Sequence, residues 1–265
     1  MKMDGSKSAD GIWSEQHGGG DAVLLLVHGL GANGAVWDPL LELAIQSWPG
    51  KIVVPDLRGH GRSDHRDNYS FGTMAADLAG LIAPGARVSI IGHSLGGLLG
   101  AFLGSGWFGV EVDDVLALSV KMKWSPEEIE KGRAVARNPV KWLPSRDEAL
   151  GRYLRVSGLD ASAARIRRSA DAGIVERDGS YRLAMDGRVF GTASLGVRTI
   201  VDAARCPVAF ATGEADPLAP SADFAELGVP VTIIGGAGHQ VPVEAPADVW
   251  RLFSDAHRSA AKPSA

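Results

Sequence analysis

One stretch, Val88–Phe102, constrains the fold most, because an apolar run passes into small, helix-forming residues through Gly92-His93-Ser94-Leu95-Gly96. The residues before Gly92 predict a buried strand, and the residues after Gly96 predict a helix. The two glycines flank Ser94 at positions where a side chain would collide with the neighbouring strand and helix. The pattern therefore predicts a sharp strand–turn–helix unit that exposes the hydroxyl of Ser94.

Strands and helices alternate along most of the chain. The predicted strands lie at 11–18, 22–27, 51–55, 88–92, 115–119, 207–212 and 230–234. The predicted helices start at Asp38-Pro39, at about Phe71, after Ser94 and at about Ala247. This alternation is typical of the α/β class, with a mostly parallel central sheet and helices on both faces.

Residues 121–188 differ in composition from the rest of the chain and predict an insertion. They hold 15 of the 27 Lys and Arg against 10 Asp and Glu, a basic excess that solvated helix faces explain. The strand pattern also disappears there. We therefore expect a core made of residues 1–120 and 189–265, with 121–188 as an inserted, mainly helical segment.

Local signals predict the elements of this insertion. Ser-x-x-Glu capping boxes at 125–128 and 145–148 predict two helix starts, and Asp160 predicts the cap of a third helix that stops at Gly173. Asp178-Gly179, between two short β-rich runs, predicts a small hairpin.

Length and composition limit the classes of function. The chain has 265 residues, 45% hydrophobic and 22% charged, with a formal net charge of −4, which argues against nucleic acid or an anionic membrane as the main partner. The start of the chain is polar, and no apolar run approaches the length of a membrane span. One cysteine, Cys206, excludes an internal disulfide. These features favour a cytoplasmic protein.

Three polar residues follow predicted strand ends: Ser94, Asp216 and His239. Because ligands of an open parallel sheet bind outside the carboxyl ends of its strands, these residues are expected to converge there. A serine hydroxyl becomes a good nucleophile when an imidazole accepts its proton, and a carboxylate holds that imidazole in the right tautomer. The order Ser, Asp, His thus predicts nucleophilic catalysis.

The chain resembles the α/β-hydrolase superfamily from about Gly11 to His257. The motifs that carry the resemblance are Gly92–Gly97, His28-Gly29, Asp56–Ser63, Gly213–Asp216 and Gly238-His239. The resemblance implies that Ser94 is the nucleophile, His239 the general base and acid, and Asp216 the orienting acid. It further implies an oxyanion hole made by the backbone N–H groups of Leu30 and Leu95, and a lid made by the insertion.

The front end departs from the family pattern. It is shorter than the two usual opening strands require, so the first of them is expected to be missing.

Other residues near these motifs have more ordinary interpretations. Glu214 and Asp64 are rival acids, but Glu214 lies two residues short of the matched position, and Asp64 is expected to cap or to pair with Arg62. Three histidines are expected to pack or hydrogen-bond structurally: His28, His60 and His93. Four residues are candidates to line a substrate pocket: Trp37, Trp124, Trp142 and Val241.

The sequence predicts a serine hydrolase of a small ester, thioester or lactone that needs neither cofactor nor metal. Hydrolysis of C–C bonds, perhydrolysis and a slowly hydrolysing small-molecule receptor use the same triad and remain alternatives. A remote alternative is an NAD-dependent oxidoreductase, because a G-x-G-x-x-G pattern at 29–34 follows a strand and Asp56 ends the next one. That fingerprint needs a helix start beside the glycines, and the best start here is the later Asp38-Pro39.

Overall fold

The computed structural model describes residues 5–159, 167–192 and 196–260. The predicted cap Asp160 lies outside these ranges. The strands are β1 (Gly5–Lys7), β2 (Trp13–His17), β3 (Ala22–Val27), β4 (Lys51–Pro55), β5 (Arg87–His93), β6 (Glu111–Leu118), β7 (Ile174–Arg177), β8 (Ser180–Leu183), β9 (Val208–Gly213) and β10 (Thr232–Ile234). The α-helices are α1 (Asp38–Ser47), α2 (Phe71–Ala79), α3 (Leu95–Leu103), α4 (Pro126–Ala136), α5 (Arg146–Ser157), α6 (Arg167–Ala172), α7 (Val197–Ala203), α8 (Ser221–Glu226), α9 (Val241–Glu244) and α10 (Pro246–Ala260). Two 3-10 helices span Gly34–Trp37 and Gly187–Thr192.

Eight strands form the central sheet, in the order β1-β2-β4-β3-β5-β6-β9-β10. The pairs β1·β2 and β2·β4 are antiparallel, and the remaining pairs are parallel. Successive residues of β3 point to opposite faces of the sheet and belong to two different buried clusters, Leu25 to one and Leu24 to the other. Both faces of the sheet are therefore covered, and the predicted α/β fold with a mostly parallel sheet is confirmed.

The expectation of a missing first strand is wrong. β1 pairs antiparallel with β2, and Gly5 lies opposite Glu15 in that register. Gly5 also packs under the ring of Trp13, because a Cβ added there would lie 1.9 Å from a ring carbon. A polar strand of three residues at a sheet edge has no apolar periodicity, so its sequence carries no strand signal.

Between β6 and β9 the chain leaves the sheet and forms α4, α5, α6 and the hairpin β7–β8. Helix α4 starts with the full predicted capping box, whereas only the first half of the second box forms, from the N–H of Glu148 to Ser145 Oγ at 3.2 Å. Asp178 and Gly179 have φ of 51° and 72°, as a tight hairpin turn requires. Helix α4 buries none of its residues, but α5 buries Ala149, Tyr153 and Ser157.

In the described part of the chain, no helix combines the length and the apolar character that crossing a membrane requires.

Candidate active site

Ser94 occupies a strained turn between β5 and α3. Its backbone has φ 50° and ψ −112°, a conformation that L-residues rarely adopt, and its N–H donates to the carbonyl of Leu118 at 2.7 Å. A Cβ on Gly92 would lie 2.3 Å from the carbonyl oxygen of Gly96, and one on Gly96 would lie 2.1 Å from that of Val27. Only glycine fits these two positions, and the turn leaves Ser94 partly exposed at the strand end.

Asp216 and His239 are hydrogen-bonded to each other. Nδ1 of His239 lies 3.0 and 2.9 Å from the two carboxylate oxygens, and the Asp216 side chain is fully buried. The N–H groups of Leu218 and Ala219 donate to Oδ1 of Asp216 at 2.9 and 3.1 Å. Burial raises the pKa of Asp216, but the hydrogen bond and charge of His239 and the Leu218 N–H outweigh it and lower that pKa to about 2. The carboxylate is thus ionised at neutral pH and orients the imidazole.

The turn that carries His239 contacts the turn that carries Ser94. Nε2 of His93 lies 2.8 Å from the carbonyl oxygen of His239. This contact brings residues 235–239, the histidine loop, next to Ser94. Among the described residues, no hydrogen bond joins the Ser94 hydroxyl to the His239 ring. Bonds of this kind are often long in the absence of substrate and shorten when it binds.

The two rival acids have other partners. Glu214 accepts a hydrogen bond from the N–H of Gly236 at 3.0 Å, so it shapes the loop before His239 instead of orienting its ring. Asp64 pairs with Lys7 at 2.7 Å, and the predicted pairing with Arg62 is wrong. Arg62 instead binds Asp56.

Two buried histidines set the direction of the loop that contains Leu30. The N–H of Leu57 donates to Nε2 of His28 at 2.9 Å, so Nε2 carries no proton and Nδ1 is the donor to the carbonyl of Gly29 at 2.8 Å. In a trans peptide the following N–H points the opposite way, so this bond fixes the direction of the Leu30 N–H. Nε2 of His60 accepts from the N–H of Gly31 at 3.2 Å. In the described part of the chain, no residue accepts a hydrogen bond from the backbone N–H of Leu30 or Leu95.

These histidines are neutral. Burial lowers the pKa of His28, and it lowers the pKa of His60 to about 3. Both side chains are fully buried and fully hydrogen-bonded, which confirms their predicted structural character.

A model of the alpha/beta hydrolase family matches residues 24–252, most of the chain. The chain belongs to the α/β-hydrolase family. It is 29% identical over 237 residues to a 2-(acetamidomethylene)succinate hydrolase of Mesorhizobium japonicum, which covers 84% of this chain and 83% of that protein. It is 39% identical over 100 residues to a Caulobacter vibrioides protein named as a carbamate hydrolase, and that match covers 35% of this chain and only 36% of the relative.

Solved structures of several hydrolases share the fold of this chain. The structure of an E-2-(acetamidomethylene)succinate hydrolase superposes with a TM-score of 0.78 at 23% identity, covering 96% of this chain and 98% of that one. An esterase of Mycobacterium tuberculosis superposes with a TM-score of 0.76 at 22% identity, covering 97% and 91%.

The glycine pattern at 29–34 does not form a nucleotide site. The N–H of Gly34 donates to Asp56 Oδ1 at 2.7 Å, and Arg62 occupies the other carboxylate oxygen. Asp56 is fully buried, so it is not available to a ribose. No group of three or more His, Cys, Asp or Glu within the described ranges is arranged to hold a metal ion.

The four predicted pocket residues lie in different environments. Trp37 and Val241 are 0% exposed and belong to the core, so neither side chain is accessible to a bound molecule. Trp124 is 38% exposed and lies under the Lys121 ammonium, 4.7 Å from its ring centre. The Trp142 ring packs against two arginines of the β7–β8 hairpin.

Sequence reasoning missed an exposed apolar residue beside the acid, Leu218, which is 48% exposed two positions after Asp216. Its N–H is already used to hold the Asp216 carboxylate. Its position directly after the Gly213–Asp216 motif was the feature of the sequence that could have identified it.

Sequence reasoning also missed the contacts that helix α5 makes with two of the site loops. A Cβ on Gly31 would lie 2.8 Å from the carbonyl oxygen of Val156. Nδ2 of Asn33 donates to the Tyr153 hydroxyl at 3.1 Å. The side chain of Gln240, the residue after His239, donates to the carbonyl of Ser157. Helix α5 therefore packs on the Leu30 loop and on the histidine loop together.

We expect Gly31→Ala to destabilise the protein by about 2–4 kcal/mol, because φ is +83° there and the added methyl group meets the Val156 carbonyl. Gly109→Ala is the matched control, since Gly109 also has positive φ, +71°, but faces open space. It should cost about 1 kcal/mol. Urea denaturation of both variants measures the difference, and equal losses would show that α5 yields freely at this contact.

Proposed function

We propose that the protein is a cofactor-free serine hydrolase that cleaves a small ester, thioester or lactone through an acyl-enzyme on Ser94. The observation that carries the proposal is the strained Ser94 turn beside His239, which is partly exposed and hydrogen-bonded to buried Asp216, and whose loop contacts the turn through His93. An exposed hydroxyl, an imidazole and an orienting carboxylate are the groups that acyl transfer to serine requires.

In the proposed reaction, Oγ of Ser94 attacks the substrate carbonyl carbon while Nε2 of His239 takes the hydroxyl proton. The negative charge that forms on the carbonyl oxygen is stabilised by the N–H groups of Leu30 and Leu95. The bond to the leaving group then breaks, and His239 gives its proton to that group. Water, deprotonated by His239, attacks the acyl-enzyme and releases the acid and Ser94.

Acyl substrates of this kind are supported by the similar proteins, which include an enzyme named for hydrolysis of an acetamido compound and an esterase. The inserted segment between β6 and β9 is proposed to cover the site as a lid, with α4, which buries no residue, as its loosest described helix. The net charge of −4 argues against nucleic acid or an anionic membrane as the main partner, and a single cysteine supports a cytoplasmic location.

Labelling with a fluorophosphonate probe tests the proposal. We expect one adduct by intact mass, mapped to the peptide that contains Ser94, and none in Ser94→Ala. A labelled protein that hydrolyses p-nitrophenyl esters, but neither cleaves vinylogous diketones nor forms peracids when hydrogen peroxide is present, supports ester hydrolysis over C–C hydrolysis and perhydrolysis. Labelling without steady-state turnover would favour a receptor, and no adduct at Ser94 would contradict the nucleophile.

Asp216→Asn is expected to lower kcat by roughly 10³–10⁴-fold, because an amide at this position cannot hold the Nδ1–H tautomer of His239 or stabilise the imidazolium. Glu214→Gln is the matched control, since Glu214 belongs to the same turn and holds only the N–H of Gly236. It should change kcat by less than about fivefold. A larger loss in Glu214→Gln than in Asp216→Asn would exchange the roles of the two acids.

A further inference from the structure

His93, the residue before Ser94, touches two other loops of the site. Its side chain is buried, with 2% of the residue exposed, and its Nε2 lies 2.8 Å from the carbonyl oxygen of His239. Its ring centre lies 4.9 Å from that of His239 in an edge-to-face contact. On the other side, a Cβ placed on Gly29 would lie 2.7 Å from Nδ1 of His93. The ring of His93 therefore lies between the histidine loop and the Leu30 loop, which begins at Gly29, and it sets their distance from the turn that carries Ser94.

The contacts define the protonation state of this ring. A carbonyl oxygen only accepts, so Nε2 of His93 carries the hydrogen and donates it to His239. Nδ1 is then unprotonated, and it has no hydrogen-bond partner among the described residues. Burial, followed by the nearby His239, lowers the pKa of His93 to about 3, so the ring stays neutral and keeps this single donor over the physiological range.

We infer that His93 is a positioning residue, whose Nε2–H holds the main chain of His239 at the distance from Ser94 that proton transfer requires. The inference rests on the proposed function. Residues 235–238 of the histidine loop are glycine or alanine, and Ala237 is the one side chain among them that packs in the core, so few side-chain contacts fix this loop. No hydrogen bond links Ser94 to His239 in the described structure, and the His93 bond is therefore a direct tie between the two turns. A displacement of about 1 Å in such a site costs roughly 100-fold in rate.

Three substitutions separate the donor from the bulk of the ring. His93→Gln keeps an N–H donor near the position of Nε2. His93→Asn has a shorter amide that does not reach the His239 carbonyl, and His93→Leu fills the space without any donor. The remote control is His17→Leu, which removes another buried histidine, from β2.

The experiment measures the rate constant of fluorophosphonate labelling at Ser94, together with kcat and KM for a p-nitrophenyl ester. For His93→Asn and His93→Leu we expect labelling and kcat to fall by roughly 10–100-fold while KM stays within about threefold. His93→Gln should recover most of the loss, and His17→Leu should label at the wild-type rate. The low-field proton NMR signal of His239 Nδ1–H should persist in His93→Asn, because the bond to Asp216 does not depend on His93.

The outcomes distinguish the proposed function from the role of His93. A wild-type protein that does not label at Ser94 overturns the proposed function. If the wild type labels at Ser94 and both His93→Asn and His93→Leu label and turn over at the wild-type rate, the role of His93 alone is overturned. Equal impairment of His93→Gln and His93→Asn also overturns it, and this comparison holds even where His93→Leu does not fold. Loss of the His239 signal together with activity would show a structural role and not a positioning one.

Discussion

Ser94→Ala is expected to lower kcat/KM for p-nitrophenyl esters by roughly 10⁵-fold or more. The variant retains the backbone N–H groups of Leu30 and Leu95 and the Asp216–His239 pair, so binding and electrostatic stabilisation survive. What disappears is the atom that forms the acyl-enzyme, and water attacking directly replaces it poorly. The residual rate should therefore remain above the uncatalysed rate, and KM should change little.

The matched control for this substitution is Ser47→Ala. Ser47 is exposed at the end of α1, and its hydroxyl bonds only the carbonyl of Leu43 one turn earlier. We expect full activity from this variant and unchanged melting temperatures for both proteins within about 2 °C. Retention of more than a tenth of wild-type kcat/KM in Ser94→Ala would place the reaction on another group.

The parts of the site that the sequence predicted are those set by local pattern. The glycines around Ser94 are required by contacts within one strand–turn–helix unit, so the pattern itself specifies the turn. Asp216 and His239 follow strand ends, and parallel pairing brings strand ends to one edge without further information. Because β9 and β10 are parallel neighbours, Asp216 and His239 lie side by side after their ends, close enough for the hydrogen bond between the two side chains.

The parts that the sequence did not predict depend on contacts between distant segments. Trp37 is an aromatic residue near a site motif, but only the packing of α1 decides that its ring lies in the core. The Asn33–Tyr153 bond joins residues 120 positions apart. No periodicity or spacing encodes such a pairing, because it is set by where the inserted segment folds back on the sheet.

Helices α4 and α5, which both lie between β6 and β9, pack on the rest of the protein to different extents. Tyr153 of α5 is 2% exposed and lies in the same cluster as Leu24 and Trp37, so α5 is part of the core as well as of the insertion. Helix α4 buries no residue, but it packs on the 3-10 helix Gly187–Thr192, where a Cβ on Gly132 would lie 2.8 Å from the carbonyl oxygen of Phe190. Its first turn also carries an ion pair between Glu128 and Lys121, which contributes little stability. Because α5 buries three residues and α4 none, we expect that opening of the proposed lid would move α4 and leave α5, which contacts the Leu30 and His239 loops, in place.

Acid is expected to destabilise the protein at unusually mild pH, because its buried histidines must stay neutral. The pKa of His60 and of His93 is lowered by burial to about 3, while both titrate near 6.5 in the unfolded chain. Between these values the unfolded state binds more protons, so stability falls as pH falls. Each ring costs about 1.4 kcal/mol per pH unit, which gives about 5 kcal/mol for both at pH 4.5.

Two other groups modify this loss. Burial raises the pKa of Asp38 to about 6, so its folded form gains protons below that pH and offsets about 2 kcal/mol at pH 4.5. The low pKa of Asp216, about 2, adds a further loss only below pH 4. The net loss between pH 7 and pH 4.5 is therefore about 3 kcal/mol before His17 and His28, whose pKa values burial also lowers, are counted. This is a large share of the 5–15 kcal/mol typical of a domain.

Urea denaturation at half-unit steps from pH 7 to pH 4.5 measures this loss. His60→Gln removes one buried imidazole, so its free energy of unfolding should start lower at pH 7 but fall less steeply, by about 1.4 kcal/mol per pH unit below pH 6. Ser47→Ala is the control, because it removes no titratable group and should keep the wild-type slope. A wild-type free energy that stays constant down to pH 4.5 would mean that the buried rings take up protons in the folded state. In that case Nε2 of His28 and Nε2 of His60 would no longer accept the N–H groups of Leu57 and Gly31 over the same pH range, and activity would fall without unfolding.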